Sequence, residues 1–183
     1  LCYTPEEQVI LDECQLLAAK PVLFVANVSE GKHADETMVQ AVRDFAGKRG
    51  AGVVTICGQL EAELSLLPEA ERADFLKELE LTESGLVRLT REAYMLLNLV
   101  TFFTAGEIES RAWPIARGTR APQAAGKIHS DMERGFIRAE VYHYDDLLAC
   151  GSEAKVKEKG LFRLEGKDYV VKEADIVYFR FNV

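Results

Sequence analysis

Two short apolar runs set the main limit on how this chain can fold. Pro21-Val22-Leu23-Phe24-Val25-Ala26 and Gly52-Val53-Val54-Thr55-Ile56-Cys57 are each of strand length and uncharged. A strand with one wet face alternates apolar and polar residues. A strand apolar throughout belongs in a parallel sheet covered on both faces. Parallel strands need a long crossover, and Val39 to Gly47 has the amphipathic spacing of a short helix that ends at Gly47 or Gly50. Ahead of the first run, Pro5 to Ala19 is predicted as a helix. Thr4 is its N-cap, Pro5 its first residue, and Glu6 and Glu7 suit the positive end of its dipole. Gly58-Gln59-Leu60-Glu61 follows the second run. Helix, strand, helix, strand, helix is half of a doubly wound sheet. Half of such a sheet leaves one strand edge unpaired. The chain also begins with Leu rather than Met, so it is expected to be a fragment with further chain upstream.

The second half has a different grammar. Pro68 to Leu79 reads as an acidic helix with a solvated outer face. Gly85 to Leu97 reads as a helix whose Leu86, Leu89, Ala93, Leu96 and Leu97 pack in a core. Leu99–Thr104 and Glu109–Ile115 then form a hairpin turning at Ala105-Gly106. Gly118 and Pro122 break the chain, a crossover helix covers 121–134, and a strand covers 136–144. The small residues Ala124, Ala125 and Gly126 let that helix approach a sheet closely. Short helical pieces at 145–150 and 152–159 precede strands at 161–164, 169–172 and 175–181. A small mixed sheet holding one main helix is a ubiquitin-like β-grasp. The fold class is therefore α/β followed by α+β, divided as residues 1–97 and 98–183.

Charge divides at the same place. Residues 1–97 hold 9 Lys and Arg against 17 Asp and Glu, net -8, whereas residues 98–183 hold 13 of each. The second half is thus the better partner for an anion. Within it, Ser110 to Ser130 carries Arg111, Arg117, Arg120 and Lys127 and no acid. The composition, 48% apolar and 28% charged, is that of a globular chain. No apolar run approaches the ~20 residues of a membrane helix, and Glu6, Glu7, Asp12 and Glu13 stand where a signal peptide would be basic. Cys2, Cys14, Cys57 and Cys150 form no CxxC pair and read as reduced thiols of a cytoplasmic protein. His33, His129 and His143 have no metal-ligand spacing. His129-Ser130-Asp131 is read as a local cap rather than a catalytic pair.

RAWPI, APQAAGKIHSDMERGFIRAEV, EGKDYVV and DIVYFRFNV together resemble the C-terminal TGS domain of the YchF/Obg-like ATPase family. KPVLFVANVSE resembles the same family's base-recognition strand and its NxxE motif. The likeness runs from Lys20 to Val183. It implies a partial P-loop nucleotide domain over 1–97 and a TGS domain over 98–183. In GTPases the corresponding motif is NKxD, whose aspartate accepts hydrogen bonds from guanine N1 and N2. Adenine N1 is itself an acceptor and repels a carboxylate there. With Val28 in place of the lysine and Glu30 in place of the aspartate, the resemblance implies a preference for ATP, with Asn27 on the base edge. Cys57, Gly58 and Gln59 occupy the place of the loop whose backbone amides face the base. Cys57 and Gln59 depart from the commoner small residues, which leaves their side-chain roles open.

The phosphate machinery is missing from the sequence. No GxxxxGK[ST] occurs, and no strand ends in an Asp suited to Mg²⁺. Phosphoryl transfer depends on those groups. The chain as written is expected to have no catalytic or metal site, to hydrolyse neither ATP nor GTP, and to bind no cofactor tightly alone. ATP with Mg²⁺ belongs to the intact parent. The resemblance implies a ribosome partner, so Arg111, Arg117, Arg120 and Lys127 are the candidate contacts to ribosomal RNA. Trp113 is read as hairpin core rather than a base-stacking platform. Lys155, Lys157, Lys159 and Lys167, interleaved with Glu153, Glu158 and Glu165, are read as a solvated face. Two rivals stand beside this reading. One is a β-grasp module that binds protein or RNA without nucleotide. The other is a regulatory protein partner that uses Asp145-Asp146 and the acidic helix. The oligomeric state is not legible.

Overall fold

The computed structural model describes residues 4–29, 36–106 and 109–182. They divide into two units, Leu1–Leu97 and Asn98–Val183. The first begins with α1 (Pro5–Glu13), closed by a capping box. Thr4 Oγ1 accepts from Glu7 N–H at 3.3 Å, and Thr4 N–H donates to the Glu7 carboxylate at 2.8 Å. The helix stops well short of Ala19. Cys14 caps it, Gln15 turns left-handed with φ 52°, and only a 3₁₀ turn follows at Leu17–Ala19. Val9, Ile10, Leu16 and Leu17 stay exposed, so no apolar packing carries the helix past its cap.

β1 (Leu23–Asn27) and β2 (Gly52–Ile56) pair in parallel, Leu23 against Gly52 through Asn27 against Ile56. The crossover is α2 (Glu36–Gly47). Phe24 meets Phe45 of α2 edge to face at 5.8 Å. Ile56 lies on the alternate face. There it meets Gly85, the first residue of α5 (Gly85–Leu96), so closely that a Cβ would stand 3.0 Å away. Helices therefore approach both faces, as two continuous apolar runs demand. The covering is uneven, however, because β1 has a strand neighbour on one side only among the described residues. Val22 and Val25 remain about half exposed, which corrects the expectation of a fully buried strand. Between β2 and α5 lie α3 (Gly58–Leu66) and the acidic α4 (Glu69–Glu78). Along α5 the half-buried residues include Leu89, Ala93 and Leu96, while Leu86 and Leu97 are exposed. A two-stranded sheet is too narrow to cover the whole apolar arc of that helix.

The second unit is a five-stranded mixed sheet. Its strands are β3 (Leu99–Ala105), β4 (Ser110–Ala116), β5 (Phe136–His143), β6 (Arg163–Glu165) and β7 (Asp175–Phe181), in the order β4-β3-β7-β5-β6. The first and last strands, β3 and β7, lie parallel at the centre, and the remaining pairings are antiparallel. This is the β-grasp arrangement. The crossover from β4 to β5 is not one helix. α6 (Ala121–Ile128) ends at His129, which is extended (φ -158°, ψ 140°), and α7 (Ser130–Arg134) restarts the chain. His129 Nδ1 accepts from Asp131 N–H at 3.2 Å and is the new N-cap. Residues 169–172 form no strand. Tyr169 to Val171 instead meets the start of α6 through one antiparallel bridge, Arg120 to Val170.

Both faces of this sheet are packed. Ala121, Ala124 and Ala125 of α6, all fully buried, let the helix lie on Val100, Phe102, Val141, Val177 and Phe179. On the reverse face α8 (Tyr144–Cys150) and α9 (Glu153–Glu158) cover Tyr142 and Ile176 through Cys150 and Val156. Gly135, between α7 and β5, is obligatory for a different reason. A Cβ there would overlap the Asn182 carbonyl, whose amide donates to Gly135 O at 2.9 Å.

Candidate functional site

The carboxyl ends of β1 and β2 bring four of the six candidate nucleotide residues together. Asn27 ends β1, and its Oδ1 accepts from Gly58 N–H at 2.9 Å. Val28 N–H donates to Ile56 O at 2.8 Å and extends the pairing one step beyond the strand. Cys57 is the N-cap of α3 without a side-chain capping bond, and Gly58 is its first residue. A Cβ on Gly58 would stand 3.3 Å from Asn27 Oδ1, a tight contact that the Asn27 side chain would have to yield to. Gln59 follows in the first turn of α3, where its Nε2 donates to Glu63 at 3.3 Å. Glu30 lies outside the described residues.

Val28 and Cys57 line a cleft of about 600 Å³ with Leu60, Glu61, Leu79 and Arg88. Asn27 and Val28 also border a second hollow of about 280 Å³ against Val39 and Val42 of α2. Two groups that sequence reasoning passed over hold the large cleft in shape. Glu61 Oε1 accepts from Gly85 N–H at 2.6 Å and so caps α5 from α3. Arg88 donates to Thr55 O at 3.2 Å and covers an edge carbonyl of β2. The spacing of Glu61 and Gly85, 24 residues apart, carries no local signal. Its lining combines the apolar Ile56, Leu60, Leu79 and Leu81 with the charged Glu61, Glu78, Glu80 and Arg88.

The four candidate RNA contacts are all exposed, but they do not form one cluster. Arg111 is the second residue of β4 and lies 4.8 Å over the Trp113 ring. Trp113 is half buried against the core and donates its Nε1–H to Thr104 at 3.0 Å. Arg117 follows the far end of β4, six residues on, roughly 20 Å away at ~3.4 Å per residue. Its backbone is tied to Asn98 O at 2.7 Å. Arg120, the N-cap residue of α6, pairs with Asp168 at 3.2 Å. Lys127 is in the last turn of α6, about 10 Å along the axis from Arg120. Among the described residues, neither Arg117 nor Lys127 has a side-chain partner. The cap reading of His129 holds, and His143 repeats it, with Nδ1 accepting from Asp145 N–H at 3.2 Å.

Comparison with known proteins decides what these elements belong to. Residues 99–182 match the YchF-GTPase C-terminal family, described as a protein of unknown function (DUF933). Over 184 residues the chain is 49% identical to the ribosome-binding ATPase YchF of Bacillus subtilis, covering 99% of this chain and 50% of that one. It is 46% identical to the ribosome-binding ATPase YchF of Escherichia coli O157:H7, covering 97% and 49%. The chain belongs to the YchF family. The solved YchF GTPase of Schizosaccharomyces pombe superposes with a TM-score of 0.79 at 31% identity, over 98% of this chain and 48% of that one. A GTP-binding protein from Pyrococcus horikoshii shares the fold at a TM-score of 0.59 and 20% identity, over 89% of this chain and 46% of that one. This YchF-family chain therefore spans about half the length of the curated relatives it matches.

Proposed function

We propose that this chain is the C-terminal half of a YchF-type ATPase that works in the cytoplasm. Residues 1–97 supply the base-reading edge of a P-loop nucleotide domain. Residues 98–183 form a TGS domain that docks to ribosomal RNA through Arg111, Arg117, Arg120 and Lys127. The observation that carries this reading is the bond from Gly58 N–H to Asn27 Oδ1. It holds the NxxE segment and the loop after β2 together at the carboxyl end of a parallel pair, where open α/β sheets bind ligands. Asn27, Val28, Cys57 and Gly58 would meet the base. ATP and Mg²⁺ would be held at their phosphate end by residues outside this sequence.

Base choice tests it. In a protein with the upstream half joined to this one, ATP should bind more tightly than GTP. Glu30→Asp combined with Val28→Lys should move the preference toward GTP, since one base-edge hydrogen bond left unpaired costs about 1–3 kcal/mol. Equal affinities in competition binding, before and after the change, would reject the assignment.

A further inference from the structure

Linear sequence groups Arg117 and Arg120 with Arg111, but the fold groups them with a different segment. Thr119 to Ala121 is zipped to Tyr169 to Val171 by backbone bonds. Ala121 N–H donates to Tyr169 O at 2.8 Å, Val171 N–H donates to Thr119 O at 3.0 Å, and Arg120 bridges Val170. The zip brings up the turn 166–169, itself closed by Tyr169 N–H to Gly166 O at 3.2 Å. Two side chains at the tip of that turn are charged. Lys167 is exposed and has no partner among the described residues. Asp168, 94% exposed, holds Arg120 at 3.2 Å. The joined loops 117–120 and 166–169 thus carry Arg117, Arg120 and Lys167, with Asp168 their one acid. An ion pair this exposed contributes little, so a phosphate competes with it readily. Arg111, at the far end of β4 and engaged with the Trp113 ring, lies apart.

From this we infer that the loop pair 117–120 and 166–169 is a phosphate-backbone contact for RNA. Its cations are Arg117, Arg120 and Lys167, and Asp168 is a built-in competitor that sets its affinity. The inference rests on the RNA-docking reading above and redraws its footprint. A phosphate oxygen displaces Asp168 from Arg120, and Arg117 and Lys167 meet the neighbouring phosphates on either side. Each cation that reaches a phosphate adds about -0.9 to the slope of log K against log salt on a duplex, or about -0.7 on a single strand.

The test is ribosome co-sedimentation and filter binding to ribosomal RNA, at several salt concentrations, with the full chain. The variants are Asp168→Asn, Lys167→Ala, Arg111→Ala and Arg117→Ala combined with Arg120→Ala. All these side chains are exposed, and circular dichroism would show whether each variant is folded. Asp168→Asn should tighten binding by about threefold or more. Lys167→Ala should weaken it and flatten the slope by about 1. Arg111→Ala, at the far end of β4, should change the slope less than Lys167→Ala does. If Asp168→Asn and Lys167→Ala bind like the parent while the Arg117 and Arg120 double variant binds more weakly, the footprint is wrong and RNA docking stands. If the parent does not bind at all, or if every variant binds like it, RNA docking through these cations fails as well.

Discussion

Two buried carboxylates of the second unit show how the same residue type is handled in opposite ways. Glu140, 8% exposed, accepts two parallel bonds from Arg180, each 2.9 Å. The Arg180 guanidinium holds its carboxyl below the usual range, against the burial that raises it. A depressed value means that the pair's contribution is complete above the unfolded value, near 4.3. It is lost as pH falls through the lower folded one. Arg180→Ala should therefore destabilise the chain at neutral pH, and the penalty should shrink in acid. Urea unfolding at pH 7 and near pH 3 checks both. Asp175, fully buried, has its Oδ2 satisfied by Tyr169 O–H at 2.6 Å and Lys172 N–H at 2.9 Å. Burial, with the Asp175 carboxylate beside it, pushes the Tyr169 phenol up, so the donor stays protonated throughout the neutral range. Tyr169→Phe should cost about 1–3 kcal/mol by removing one of the two donors to that buried oxygen. A melting temperature unchanged from the parent would refute this. Neither role was legible in sequence, because 40 residues separate Glu140 from Arg180 and nothing local marks the register that joins them.

At the scale of elements, the long-period signals were readable and the ends were not. β7 runs over the residues that the sequence pattern predicts, and α2 and α5 keep their apolar stripes. The failures share a cause. The helix at 5–19 and the crossover at 121–134 both stop where side chain and backbone chemistry outbids propensity: a left-handed Gln15 in one, a histidine N-cap in the other. The expected strand at 169–172 is spent on holding α6 in place. The candidate site was half legible for a related reason. Asn27 and Gly58 stand in recognisable motifs, whereas Glu61, which caps α5, has no motif. Glu61→Ala leaves Gly85 N–H without that acceptor while the Ser84 cap remains. The expected cost is about 1 kcal/mol, the size of a lost N-cap. Glu61→Gln should recover most of it. Hydrogen exchange of the first turn of α5 would register the difference.

For the whole molecule, the division between Leu97 and Asn98 predicts two unfolding events. The second unit has a five-stranded sheet packed on both faces. The first has two strands and several half-exposed apolar side chains. Calorimetry of the full chain should give a lower transition for residues 1–97 and a higher one for 98–183. A fragment of residues 98–183 should keep the upper transition within a few degrees. A single cooperative transition, lost in the fragment, would contradict this.

The uneven covering of β1 and α5 also bears on how the chain behaves at high concentration. Val22, Val25, Leu86, Val87 and Met95 are all about half exposed or more, and apolar surface of this kind promotes self-association. The same unit carries the whole acid excess, 9 cations against 17 acids. Like charge therefore keeps copies apart where their apolar surface would draw them together. Salt shortens the reach of that repulsion, from about 30 Å at 0.01 M to about 8 Å at 0.15 M. It leaves the apolar attraction in place. The chain should be most prone to cloud near its isoelectric point of about 5.0, where the charge barrier vanishes.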